Sequence, residues 1–207
     1  MTNKELHQDL KNSIVKLNSG MHMIHHPLYV GAYSEHPFMN EMANNTYEEK
    51  KKHLQQYVEQ KKIESAINII ERPYRVDSTM EALRSWWQPT KDDYWDFISW
   101  LWQDTENVYE NLDTWIELMT LEFSEPQLMM NDKEKEVYDN LPEIVRVYRG
   151  GVDDKGLSWS LSREKAEWFA NRFDYGYEVF EKEIKKSDIL AYLNGRQEQE
   201  IICNVDY

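Results

Sequence analysis

The hydrophobic rhythm of this chain changes once, at Leu141-Pro142. Before that point apolar residues recur mainly at the i, i+3, i+4 spacing of an amphipathic helix. After it, short runs of β-branched residues alternate with polar ones, as in strands with one buried face. A chain with this division folds as α+β. The expected architecture is an N-terminal bundle of five or six helices packed on a small mixed β-sheet. Residues 1–142 then form a helical region, rich in histidine and aromatic residues, that offers a target or partner surface. Residues 143–207 form the sheet core. So short a sheet segment has little core of its own, so the two are expected to make one continuous unit.

Leu6, Leu10, Ile14 and Leu17 predict a first helix over residues 3–18, stopped by Asn18-Ser19-Gly20. Residues 21–42 read as an irregular loop holding His22, His25, His26 and His36. Their spacing matches no compact zinc pattern, so no metal is expected there. Thr46 reads as the cap of a long helix running to about Glu71, ended by Pro73. Asp77 caps a shorter helix closed by Pro89, Thr90 opens the next, and residues 105–122 continue the pattern. Six of the eight tryptophans lie between Trp86 and Trp115. At helical spacing they read as core, the alternative being a stacking platform for bases. Asp104 or Thr105 reads as a cap for the helix that follows, or as part of a polar group turned toward a site. Asn131 or Asp132 starts a last short helix.

The net charge of −14 opposes non-specific binding to phosphate backbones, although Lys50–Lys52, Lys61-Lys62 and Lys182/Lys185/Lys186 form local basic runs. With 41% apolar and 13% aromatic residues, the chain has material for a packed core. Cys203 is the one cysteine, which excludes an internal disulfide framework. Met1–Leu17 lacks the apolar stretch of a signal peptide, and no apolar run approaches membrane-spanning length. A cytoplasmic protein without a membrane partner is expected.

Three phrases after residue 143 carry polar groups at the end of, or within, apolar runs. Ile144–Tyr148 reads as a strand ending at Arg149-Gly150-Gly151, where an arginine beside glycines suits an anion: the guanidinium forks onto phosphate oxygens and the glycines admit a ligand to the backbone. Gly156–Leu161 reads as a second strand that puts Ser158 and Ser160 on one face, and Ser162 then caps a helix marked by Ala166, Phe169, Ala170 and Phe173. Glu178–Ile184 and Ile189–Tyr192 follow as strands. Asn194-Gly195 turns the chain into Glu198–Cys203, a strand with Glu198 and Glu200 on one face. Paired carboxylates beside an apolar strand suit transfer at a glycosidic carbon, and an exposed strand face accounts for them as well.

In this order, Arg149, Ser158-Trp159-Ser160 leading into Ala166–Ala170, and Glu198-Gln199-Glu200-Ile201-Ile202 resemble the Arg–Ser–Glu class of mono-ADP-ribosyltransferases, over about residues 143–203. The resemblance implies NAD as co-substrate and a macromolecular acceptor, a protein side chain such as arginine or a nucleic-acid base. It implies a bacterial or phage toxin or effector of toxin–antitoxin or phage–host conflict, with an antitoxin or chaperone partner. Arg149 and Gly150 would hold the NAD phosphates. Ser158 would set the nicotinamide ribose and orient Glu200, with Ser160 stiffening the strand. Glu200 would stabilise the ribosyl cation as nicotinamide leaves, and Glu198 would accept the proton of the attacking group. Phe169, Tyr175 or Tyr177 would stack on nicotinamide, Trp159 being a weaker candidate. The chain departs from the family at Trp159, where threonine is usual, and in the short loop Leu193–Gln197 that in the family selects the target. The alternatives are an NAD glycohydrolase and a non-catalytic module of the same fold.

Overall fold

In the computed structural model, residues 5–121, 123–172 and 176–203 are described. The chain is α+β and divides into two compact units, residues 1–88 and 89–207. Among the described residues no helix is long and apolar enough to cross a membrane.

The first unit is not purely helical. Helix α1 spans only Gln8–Asn12, and the chain then enters an antiparallel meander of β1 (Ile14–Lys16), β2 (His22–His26) and β3 (Tyr29–Ala32). The expected helix over 3–18 stops early because Ser13 ends it: its hydroxyl donates to the Asp9 carbonyl at 2.9 Å and its amide to Leu10 at 3.1 Å. Leu6 and Leu10 are buried, whereas Ile14 turns into a strand opposite Ile24. The expected irregular loop over 21–42 instead holds two strands and, from Pro37, the start of a helix, and among the described residues no group of three or more His, Cys, Asp or Glu side chains could hold a metal ion.

Helix α2 runs from Pro37 to Glu59, starting ten residues earlier than a cap at Thr46 suggests. Its cap is the His36 imidazole, which accepts the Phe38 amide at 3.3 Å, with Pro37 pre-set for the first helical position. The expected continuation to Glu71 is broken where Lys61 adopts a left-handed φ of 54° and the Lys62 amide reaches back to Tyr57. Helices α3 (Ile63–Ile69) and α4 (Arg75–Ser85) complete the unit.

In the second unit, α5 (Lys91–Asp104) opens at Thr90, whose hydroxyl accepts the Asp93 amide. Most of the tryptophan stripe is core: Trp95, Trp102 and Trp115 are each at most 1% exposed, whereas Trp86 and Trp100 are half-buried. At about 25 cal/mol per Å² of apolar surface, burying a side chain this large stabilises the fold by roughly 4–6 kcal/mol. The Tyr94 hydroxyl, donating to the Leu118 carbonyl, ties α5 to α6 (Leu112–Thr120). Thr105 is not a cap for the next helix. It closes α5, donating its hydroxyl back to the Leu101 carbonyl at 2.8 Å. Helix α7 (Asp132–Asp139) carries a full capping box, with Asn131 and Glu134 satisfying each other's backbone amides.

The sheet is formed by β4 (Ile144–Gly151), β5 (Ser158–Ser160), β6 (Glu178–Lys185), β7 (Ile189–Leu193) and β8 (Glu200–Cys203), in the order β6-β4-β5-β8-β7. Every pairing is antiparallel, so the expected mixed sheet is corrected. The reason lies in the connections. Loops 152–157 and 194–199 are too short to return a strand parallel to its neighbour. Helix α8 (Arg163–Asn171), capped by the Ser162 hydroxyl, instead carries the chain past β4 to its far side. It packs so tightly on β4 that a Cβ at Gly150 would lie 2.1 Å from the Ala166 carbonyl oxygen.

Candidate functional site

Strands β4, β5 and β8 bring the sequence-predicted residues to one cleft of about 570 Å³, within the range of about 300–1,000 Å³ usual for ligand sites. Arg149, Gly150, Ser158, Ser160, Glu198 and Glu200 all line it, and Phe169 and Tyr177 are at its wall. Tyr175 lies outside the described residues.

The register explains the grouping. Ser160 stands opposite Glu200 and Ser158 opposite Ile202, so both serines share the face on which the glutamate emerges. The Ser158 hydroxyl donates to Glu200 Oε1 at 2.5 Å. Its carbonyl accepts from Arg149 Nη1 at 2.7 Å, which fixes the guanidinium against the same strand. Gly156 makes room for this, since with φ +135° a Cβ there would meet the Arg149 guanidinium at 2.9 Å. Ser160 works on the backbone: its hydroxyl donates to the Glu198 carbonyl at 2.7 Å and accepts the Ser162 amide at 3.0 Å. It thereby fastens the turn before β8 to the start of α8. Gly150 opens space for α8 as well as for the cleft.

Glu198 and Glu200 do not share a strand, as their spacing suggested. Strand β8 begins at Glu200, and Glu198 sits in the preceding turn between two left-handed residues, Gln197 (φ 58°) and Gln199 (φ 48°). Non-glycine residues in this region are uncommon, and two of them around one carboxylate mark a backbone held in place by its surroundings. Those surroundings are visible: the Asn194 amide donates to Glu134 Oε1 at 2.7 Å, the Gln199 amide to Asn194 Oδ1 at 3.1 Å, and the Leu161 amide to the Gln199 carbonyl.

Glu200 is 4% exposed. Burial pushes its carboxyl above the ordinary carboxylate range, while the Ser158 hydroxyl, the Arg196 guanidinium and the Trp102 indole pull it back and Glu198 adds to the rise. Trp102 reaches it from α5, and its buried Nε1 makes no hydrogen bond of normal geometry. The indole is thus a polar neighbour at the floor of the site rather than a firm partner.

No protein-family model, curated protein or solved structure matches this chain. The chemistry must be read from the site itself. It offers a guanidinium for an anion, aromatic rings at the wall, and a buried carboxylate oriented by a hydroxyl, with a second carboxylate close by. No sequence signal separated Trp102 from the other core tryptophans. Tyr148, Val108 and Tyr109 also line the cleft, as does the polar stretch Thr105–Asn107. Arg196 was overlooked too, although it stands two residues before one glutamate and four before the other.

Proposed function

We propose that this chain is an NAD-dependent mono-ADP-ribosyltransferase, with β4–β8 and α8 as an ADP-ribosyltransferase-like core, acting as a toxin or effector on a macromolecular acceptor. The observation that carries the reading is the linked set Arg149–Ser158–Glu200, in which one residue of β5 holds the cation through its carbonyl and the buried carboxylate through its hydroxyl. A dinucleotide asks for what this cleft contains: a cation for the diphosphate, rings to flank a heterocycle, and a carboxylate for the ribose.

NAD would supply a ribose carbon bonded to a positively charged pyridinium, a good leaving group. Arg149 holds the diphosphate. Phe169 and Tyr177 flank the nicotinamide ring. Ser158 aims Glu200 at the ribose 2″-hydroxyl, and the carboxylate faces the positive charge that develops as the C1″–N bond breaks and neutral nicotinamide departs. In a site this dry the interaction is strong. Glu198 takes the proton released when the acceptor forms its bond to C1″.

The test is incubation of the protein with NAD labelled in its adenylate part and a cell lysate, followed by protease or nuclease. Label that enters a macromolecule supports the reading, and its loss to one digest identifies the acceptor class. Free ADP-ribose as sole product would make the protein a glycohydrolase. No consumption of NAD would overturn both.

A further inference from the structure

The turn that delivers Glu198 also carries Arg196, and its guanidinium lies on both carboxylates of the site. Nη2 is 3.1 Å from Glu198 Oε2 and 3.4 Å from Glu200 Oε2. Nη1 faces the Gln103 and Thr105 carbonyls, both at 3.4 Å, where the C-terminal end of α5 presents partial negative charge. A cation is thus gripped by two carboxylates and two carbonyls from separate parts of the unit. The turn is built for this: Gln197 and Gln199 take left-handed conformations, and Gly195 lies where a Cβ would meet Gln103 Oε1 at 2.3 Å.

We infer that Arg196 is a positioning residue for the proposed transfer reaction, clamping Glu198 and Glu200 together and presenting both to the cleft. The inference rests on the transferase reading for its consequence in catalysis, and on geometry alone for the clamp.

A buried carboxylate beside a second one takes up a proton more readily unless a cation lies against it, and here Glu200 is buried while Glu198 is partly exposed. The charged and polar groups facing Glu200 are few. Ser158 approaches from β5, Trp102 from α5, and Arg196 and Glu198 from the turn. Arg149 reaches the same strand through the Ser158 carbonyl, and Glu106 lines the cleft. Glu134 of α7 engages the far end of the turn at Asn194. Among the described residues, Arg196 is therefore the cation in direct contact with both glutamates. The fork of a guanidinium spans two carboxylates and two carbonyls at once, which a lysine ammonium does not.

The experiment compares wild type with R196A and R196K by nicotinamide release from NAD between pH 5 and 9, with folding checked by circular dichroism. In R196A the acidic limb of the kcat profile is expected to move up by about one pH unit, lowering release about tenfold on that limb, with recovery at high pH and little change in KM. R196K is expected to fall between the two. A rate raised at every pH would mean that Arg196 is a plug that must leave the site. A rate lowered equally at every pH would mean a merely structural part. Either result overturns the inference.

Carboxyl ¹³C NMR titration of the same proteins, with E200Q to assign the signal, reads the clamp without catalysis. Glu200 is expected to titrate higher in R196A than in wild type, and an unmoved signal overturns the inference even if the enzyme is active. If the signal moves but wild type releases no nicotinamide, the clamp stands and the transferase reading fails. Should R196A not fold, the R196K profile and titration decide alone, and their identity with wild type overturns the requirement for a fork.

Discussion

Asp9 and Glu200 each accept a hydroxyl hydrogen bond of 2.5 Å, one from Tyr47 and the other from Ser158, yet they sit on opposite sides of the ordinary carboxylate range. Asp9, on α1 of the first unit, has a half-exposed side chain. The Tyr47 hydroxyl lowers its pKa, with His7, Lys51 and His26 adding to the effect against a smaller desolvation. For Glu200, in the second unit, burial outweighs the same kind of bond together with Arg196 and Trp102. Both partners are hydroxyls, but burial is the largest influence on Glu200, whereas at Asp9 the phenol bond outweighs it with three cationic neighbours in support. Asp9 serves the fold, tying α1 to α2 through Tyr47. Glu200 is a carboxyl group kept out of water beside a cleft, and ionising it there is costly for folding and useful for chemistry.

The contrast can be broken most sharply at Glu200. E200Q keeps the shape of the side chain, and nicotinamide release is expected to fall by about 10²–10³, the usual cost of removing one electrostatic stabiliser. S158A should follow, since a hydrogen bond to a charged group is worth about 1.5–3 kcal/mol, or roughly 10–100-fold in rate, with the acidic limb of the profile moving to higher pH. Steady-state release across pH checks both.

Stability should move in opposite directions at the two sites. Folded Asp9 binds its proton less tightly than the unfolded chain does. It therefore stabilises the fold above about pH 4 and loses that contribution as pH falls through its depressed value. D9N should melt at lower temperature than wild type at neutral pH, with the difference closing in acid. Folded Glu200 binds its proton more tightly. Its unfavourable contribution is absent below about pH 4 and grows as pH rises through its raised value. E200Q should therefore melt higher than wild type at neutral pH, with the difference again closing in acid. Melting curves at pH 7.5 and pH 4 test the Glu200 half of the pair, and the D9N difference should close only in curves taken well below pH 4. The smallest effect is expected for Y47F, which removes the bond to Asp9 and should leave nicotinamide release unchanged.

The same contrast separates what the sequence reveals from what it hides. Local signals survived. Thr90, Asn131 and Ser162 cap the helices they predict, and Ile144–Tyr148 pairs as a strand. Arg149, Ser158 and Glu200 were legible because each stands in or beside an apolar run of a strand. Strands β1–β3 were hidden, since His22, His25 and His26 leave Ile24 as the one buried residue of β2. The start of α2 was hidden because an imidazole, not a hydroxyl or carboxylate, caps it. Arg196 was hidden for a different reason. Its partners among the α5 carbonyls lie 91 and 93 residues away, and its aim depends on two glutamines in a conformation their type rarely adopts. Such a contact belongs to tertiary structure, and spacing marks only its nearness to the two glutamates.

The account turns on Glu200 breaking the bond between ribose and nicotinamide. The most direct measurement is nicotinamide released from NAD by wild type and by E200Q, with NAD binding followed in parallel by calorimetry. The account predicts release by wild type and binding without appreciable release by E200Q. Equal release from both proteins, or none from wild type that binds NAD, would contradict it.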